Sequence, residues 1–135
     1  MIAVTTAPGP LRVAVAEDSV LLREGLRRIL TGAGLDVVAA YDNAADLLDR
    51  VRAEPVDLVV VDIRLPPTHS DEGLRAALQL HRRSPPVPVL VLSQYVELGL
   101  AMQLLSESAE GVGYLLKDRI GDVADFESTG PVGAL

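Results

Sequence analysis

The chain has 135 residues, 49% of them apolar and 23% charged, which suits one packed domain and excludes wholesale disorder. Aromatics are only 3%, so the core must be aliphatic, and the lack of cysteine removes disulfides, thiolate metal sites and thiol catalysis. Twelve basic against 19 acidic residues leave a net charge of −7, the wrong sign for gripping nucleic acid, and neither a signal peptide nor a membrane-length apolar run is present, so a small, acidic, cytoplasmic protein is expected.

Met1 to Pro10 has no sustained period and ends in Pro-Gly-Pro, the pattern of a loose arm. From Leu11 onward, short β-branched runs alternate with amphipathic stretches. The run Leu11–Ala16 leads into a helix with Leu22, Leu26, Ile29 and Leu30 on one side and Arg23, Glu24, Arg27 and Arg28 on the other. Asp18 or Ser19 can cap its start, and the Gly32/Gly34 pair can stop it. Val37–Ala40 precedes a second helix, capped by Asn43, with Ala44, Leu47, Leu48 and Val51 as the buried stripe. The runs Val56–Val61 and Val87–Leu92 are almost wholly apolar, as central strands covered on both faces are. Between them Leu74, Ala77, Leu78 and His81 share a helix face that ends before Ser84-Pro85-Pro86. A fourth helix, from about Leu98 to Ser108, is expected to bury Leu100 or Ala101 with Leu104 and Leu105. After Val112–Leu116 comes a short helix, Ile120 to Phe126, and then ESTGPVGAL without helical period.

Strict alternation of strand and helix predicts an α/β fold: a doubly wound parallel sheet of five strands over residues 11–126, with an arm at 1–10 and an irregular tail at 127–135. The working site of such sheets lies beyond the carboxyl ends of the strands. There stand Glu17 and Asp18, Asp62, Ser93 and Lys117. Taken singly, each has an ordinary reading: Asp18 as a helix cap, Asp62 as a turn residue before Pro66-Pro67, Ser93 as the start of a loop. Lys117 is harder to dismiss, being the only lysine in a chain whose other cationic side chains are arginine. Together the set is coherent. Three clustered carboxylates repel unless a cation sits among them, and Mg²⁺ takes oxygen ligands. A phosphoryl group on Asp62 would place its oxygens where Mg²⁺, Lys117 and the Ser93 hydroxyl share the charge.

The segments AEDSVLLREGLRRIL, VDLVVVDIRLPP, VPVLVLSQY and GYLLKD resemble the receiver domain of two-component response regulators, across most of Leu11 to Phe126. REGLRRIL and GYLLKD are most similar to receivers of the NarL/FixJ type, which commonly precede a helix-turn-helix output domain. The resemblance implies a flavodoxin-like strand order 2-1-3-4-5, here with a shortened fifth helix. It implies Asp62 as phosphoacceptor and a sensor histidine kinase as donor. Mg²⁺ would be held by Asp62, by Asp18 directly, by Glu17 directly or through water, and by the Arg64 backbone carbonyl. Ser93 and Lys117 would meet the phosphoryl group, with Ser93 and Tyr114 as the switch pair; Tyr114 reads equally as a half-buried strand residue.

Several features depart from that pattern. The stretch from Asp62 to Gly73 is longer than the usual spacing, with Thr68–Asp71 read as extra, either as a lid or as a plain solvent loop. Gln94 and Tyr95 are bulky and are expected to narrow access to the site, slowing hydrolysis of an acyl phosphate. The short last helix predicts self-association, such as a homodimer, or reduced stability. His69 and His81 have no metal-like spacing and read as packing or surface residues. Two other functions compete: a non-phosphorylated interaction module of the same fold, and a metal-dependent phosphohydrolase, for which no second acid or base is well placed. The chain itself is expected to be a signalling domain rather than an enzyme, with no direct contact to nucleic acid or membrane.

Overall fold

The valine-rich runs pair into one parallel sheet because each carries apolar side chains toward both faces. A computed structural model describes residues 9–104 and 111–120, the side chains of residues 95 and 104 excepted. In chain order the elements are β1 (Arg12–Ala16), α1 (Val20–Gly32), β2 (Asp36–Tyr41), α2 (Ala44–Ala53), β3 (Leu58–Asp62), α3 (Glu72–His81), β4 (Val89–Ser93), α4 (Tyr95–Leu104) and β5 (Val112–Leu116). The strand order is β2-β1-β3-β4-β5, with every pairing parallel. This is the doubly wound order that the sequence resemblance implies. Residues 117–120 continue as a helical turn. Residues 1–8 of the expected arm at 1–10, the expected reach of the fourth helix through Leu105 to Ser108, that of the last helix to Phe126 and the expected tail at 127–135 lie outside the described residues.

Side-chain alternation along the strands builds two cores. Ala14, Ala16, Val59, Val61, Val89 and Val91 face α2 and α3 with Leu47, Val51, Leu74 and Leu80. On the other face Val13, Val15, Val60 and Leu92 meet Leu26 and Leu30 of α1, joined by Ile120. The expected strands begin one residue early at β1, which starts at Arg12 rather than Leu11, and two residues early at β3 and β4. Strand β3 starts at Leu58, not Val56, because Asp57 is occupied in a reciprocal link with Arg12: Arg12 N–H donates to Asp57 Oδ2 at 2.7 Å, and Asp57 N–H donates to the Arg12 carbonyl at 2.8 Å. Strand β4 starts at Val89, since Pro88 has no N–H to give.

Ser19, not Asp18, caps α1: its side chain accepts from Leu22 N–H at 3.3 Å. Asn43 caps α2 as expected. Its Oδ1 accepts from Asp46 N–H at 2.8 Å while its Nδ2 donates to Asp46 Oδ2 at 2.9 Å. Asn43→Ala removes both links and is expected to cost about 1 kcal/mol, read as a lower urea midpoint with an unchanged slope.

Two helix faces differ from expectation. In α3 the buried side is Leu74, Ala76, Ala77 and Leu80, with Leu78 and His81 only half-buried, so the stripe is rotated toward Ala76 and Leu80. Helix α4 starts at Tyr95 rather than about Leu98, and it buries Ala101 while Leu100 stays 56% exposed. Its sequence, YVELGLAMQL, is apolar all round, so periodicity alone could not choose a face.

Candidate functional site

The carboxyl ends of β1, β3, β4 and β5 converge, and each delivers a polar group that the adjacent backbone fixes. Glu17 follows β1 and is wholly buried; its N–H donates to the Tyr41 carbonyl at 2.9 Å, and its Oε2 accepts from Ser19 N–H at 2.8 Å. Asp62 ends β3 and is 1% exposed. Its Oδ1 accepts from Arg64 N–H at 3.3 Å, and its Oδ2 accepts from Lys117 Nζ at 2.9 Å. Lys117 follows β5 and also stands 3.6 Å from Glu17 Oε1. Ser93 ends β4, fully buried, and its Oγ has no hydrogen-bond partner among the described residues.

Oxygens of Glu17, Asp18 and Asp62 lie within 4.8 Å of one another. Packing three carboxylates so closely has an electrostatic consequence. Burial pushes Glu17 up to about 7, and the Asp62 charge adds to it against the opposing bond from Ser19. Burial likewise raises Asp62 above the ordinary carboxylate range, and Lys117 only partly offsets this. Burial would depress the Lys117 ammonium, but its bond to Asp62 and the surrounding negative charge raise it. One ammonium therefore does not balance the cluster. Among the described residues Glu17 Oε1 is buried without a hydrogen bond, and all the candidate ligand atoms are hard oxygens. This set fits a small divalent cation such as Mg²⁺.

The remaining expected site residues are placed less uniformly. Arg64 brings its N–H to Asp62, while its exposed guanidinium reaches an ion pair with Glu97 of α4. Glu97 is buried and its Oε1 also accepts from Gln94 N–H at 2.9 Å, so one carboxylate ties together the loops after β3 and β4. The Gln94 side chain is exposed, and the Tyr95 side chain lies outside the described residues. Tyr114 is half-buried in β5 against the core on the α2–α3 side, and that burial raises its phenol.

Two residues near the site were not among those expected there. Glu97 falls just before the expected start of the fourth helix, at about Leu98, and no motif in the sequence marks it. His69, read as packing or surface, comes from the inserted loop to place its Nε2 2.9 Å from Asp18 Oδ2. Burial pushes the Asp18 carboxyl up, but the bonds from His69 and within the cluster outweigh it and hold Asp18 below the ordinary range. No sequence signal links residues 51 apart; only the unusual loop length marks the spot.

Comparison with known proteins places the chain in a family. Residues 13–122 match the response regulator receiver domain family. The chain is 31% identical over 113 residues to the transcriptional regulatory protein LnrK of Bacillus subtilis, covering 83% of this chain and 49% of that one. It is 33% identical over 112 residues to a NarL transcriptional regulatory protein of Mycobacterium tuberculosis, covering 82% and 50%. The chain thus spans about half the length of these curated relatives. Among solved structures, the signal receiver domain of a NarL response regulator from M. tuberculosis superposes with a TM-score of 0.66 at 26% identity, covering 90% of this chain and 96% of that one. With the family matched over residues 13–122 and an acidic pocket at the carboxyl edge of a 2-1-3-4-5 sheet, this chain belongs to the response regulator receiver domains.

Proposed function

We propose that this receiver domain accepts a phosphoryl group on Asp62 and switches the surface formed by α4, β5 and the helix that follows. The observation that carries the reading is the contact of Lys117 Nζ with Asp62 Oδ2 at 2.9 Å, with the Ser93 hydroxyl and Glu17 Oε1 both buried and without a hydrogen bond among the described residues. A buried carboxylate so placed has an ammonium and a hydroxyl ready for the oxygens of an incoming group. In the transfer, an Asp62 oxygen forms the new bond to phosphorus as the bond to the donor breaks. With a sensor histidine kinase as donor, the leaving group is its imidazole. Glu17, Asp18, Asp62 and the Arg64 carbonyl would hold Mg²⁺, which supplies charge neutralisation for the phosphoryl oxygens when bound. Lys117 takes up further negative charge, and Ser93 donates its hydroxyl.

The switch is a population shift: a phosphoryl group that draws Ser93 toward Asp62 favours the conformation of β4, β5 and α4 in which that hydroxyl is satisfied. Tyr114, beside β4 in the sheet, is the aromatic positioned to respond. Exposed Val96, Leu100 and Met102 give α4 an apolar face for reporting the state, by self-association or through an output domain in a longer protein controlling transcription. The chain's own net charge of −7 disfavours direct contact with DNA. The setting is cytoplasmic, where the kinase presents its phosphohistidine.

Incubation with acetyl phosphate and Mg²⁺, followed by intact-mass spectrometry, is expected to give a single phosphoryl adduct. Asp62→Asn is expected to abolish it, and chelation of Mg²⁺ to suppress it in the parent chain. Failure of the parent to form an adduct, with no Mg²⁺ binding by calorimetry, would leave the pocket structural and the domain an unphosphorylated interaction module.

A further inference from the structure

The loop between β3 and α3 does not hang free. Glu72, in the first turn of α3, holds it from both carboxylate oxygens: Oε2 accepts from Thr68 N–H at 2.8 Å, and Oε1 accepts from Ser70 N–H at 3.1 Å. The Thr68 hydroxyl also donates to Glu72. The residue between those two amides is His69. Its own N–H donates to the Leu65 carbonyl at 3.0 Å, and its φ is 54°, in the left-handed region that most side chains avoid. Three fixed amides and that backbone turn determine where the imidazole goes. It crosses to the start of α1, where Nε2 meets Asp18 Oδ2 at 2.9 Å.

We infer that His69 is a positioning residue for the metal-binding carboxylate Asp18, so that the inserted loop tunes how tightly the acidic pocket holds Mg²⁺. The inference rests on the proposed role of the pocket and goes beyond it, by assigning part of the metal affinity to a loop outside the five polar strand-end residues. The physical reason is rotational freedom. Glu17 is fixed by burial and by Ser19 N–H, and Asp62 by Arg64 N–H and Lys117. Asp18 is the half-buried member, the most exposed carboxylate of the three. A free carboxylate there must be ordered when the ion binds. With Oδ2 held by the imidazole, Asp18 already keeps an oxygen within 4.8 Å of those of Glu17 and Asp62. Partners of this outer kind change metal affinity by about 10–100-fold when removed.

The test is calorimetric titration of Mg²⁺ into the parent chain, His69→Ala and His69→Gln, with thermal unfolding of each in the absence of Mg²⁺. His69→Ala is expected to weaken Mg²⁺ binding by about tenfold or more. His69→Gln keeps an N–H donor at the end of the side chain and is expected to recover most of the loss. A structural role alone would lower the metal-free unfolding temperature without that recovery in affinity. If His69→Ala binds Mg²⁺ within twofold of the parent, or more tightly, Asp18 is not positioned by His69 and the inference fails while the reading of the pocket stands. If the parent itself binds no Mg²⁺, both fail.

Discussion

Gly73→Ala is expected to lose about 3 kcal/mol of stability or more, and to lose phosphorylation even under conditions where the variant still folds. Gly73 is the second residue of α3, and that turn lies backbone to backbone on the end of β3, with Gly73 N–H donating to the Ile63 carbonyl at 2.9 Å. A Cβ there would stand 1.6 Å from the Asp62 carbonyl oxygen, 2.7 Å from its carbon and 3.0 Å from the Ile63 oxygen. Every one of these obstructing atoms is main chain, so no rotamer change relieves the clash. Either α3 withdraws from the sheet or the backbone of Asp62 itself moves. Stability and the phosphoacceptor are thereby coupled through one hydrogen atom. A Cβ at Gly99, in the middle of α4, would meet nothing within 4 Å among the described residues, so Gly99→Ala should instead gain about 0.5–1 kcal/mol from helix propensity. Paired urea titrations would decide the matter: midpoints of Gly73→Ala and Gly99→Ala that shift alike would mean that the backbone at the end of β3 yields to the added methyl group.

The sheet was legible in the sequence because its strands are contiguous valine-rich runs, and a run such as VDLVVVD admits few other structures between two turn signals. Glu17, Asp62, Ser93 and Lys117 were legible for a related reason. Each directly follows or ends such a run, so the topology that gathers strand ends gathers these residues too. What the sequence could not reveal depends on side chains crossing between loops. His69 reaches Asp18 only because Glu72 clamps the amides on either side of it, a fact of loop geometry with no periodicity behind it. Glu97 pairs with Arg64 from the first turn of a helix whose face could not be assigned, and in one dimension it is merely a charge in an apolar stretch. The rotation of α3 toward Ala76 and Leu80 has a similar origin. Alanine and leucine occur around much of that helix, and only the packing against β3 and β4 selects a side.

Removing Lys117 should reveal the charge imbalance that the pocket carries. Lys117→Met keeps the length of the side chain but withdraws the ammonium from Asp62 and Glu17, leaving two buried carboxylates facing each other. Stranding buried charge in this way costs about 3–5 kcal/mol when nothing else compensates. Here protonation can compensate, and that gives the loss a pH dependence. Glu17 already sits at about 7 in the folded chain, against 4.5 for an ordinary glutamate, and Asp62 is raised in the same direction. Below about pH 4.5 folded and unfolded chains alike hold the Glu17 proton, so its burial then adds no penalty. As pH rises toward the folded value, the unfolded state releases its proton first and stability falls; the fall levels off above about 7. Without Lys117 both carboxyls move further up, so the penalty grows and continues to higher pH. The stability gap between Lys117→Met and the parent, measured without divalent ions, is therefore expected to be small near pH 5 and to reach several kcal/mol near pH 8. Adding Asp62→Asn to the variant should recover much of it, since one of the two facing charges is gone. A gap that stays constant across that range would show that the methionine merely packs badly and that the ammonium offsets none of the charge on Asp62 and Glu17.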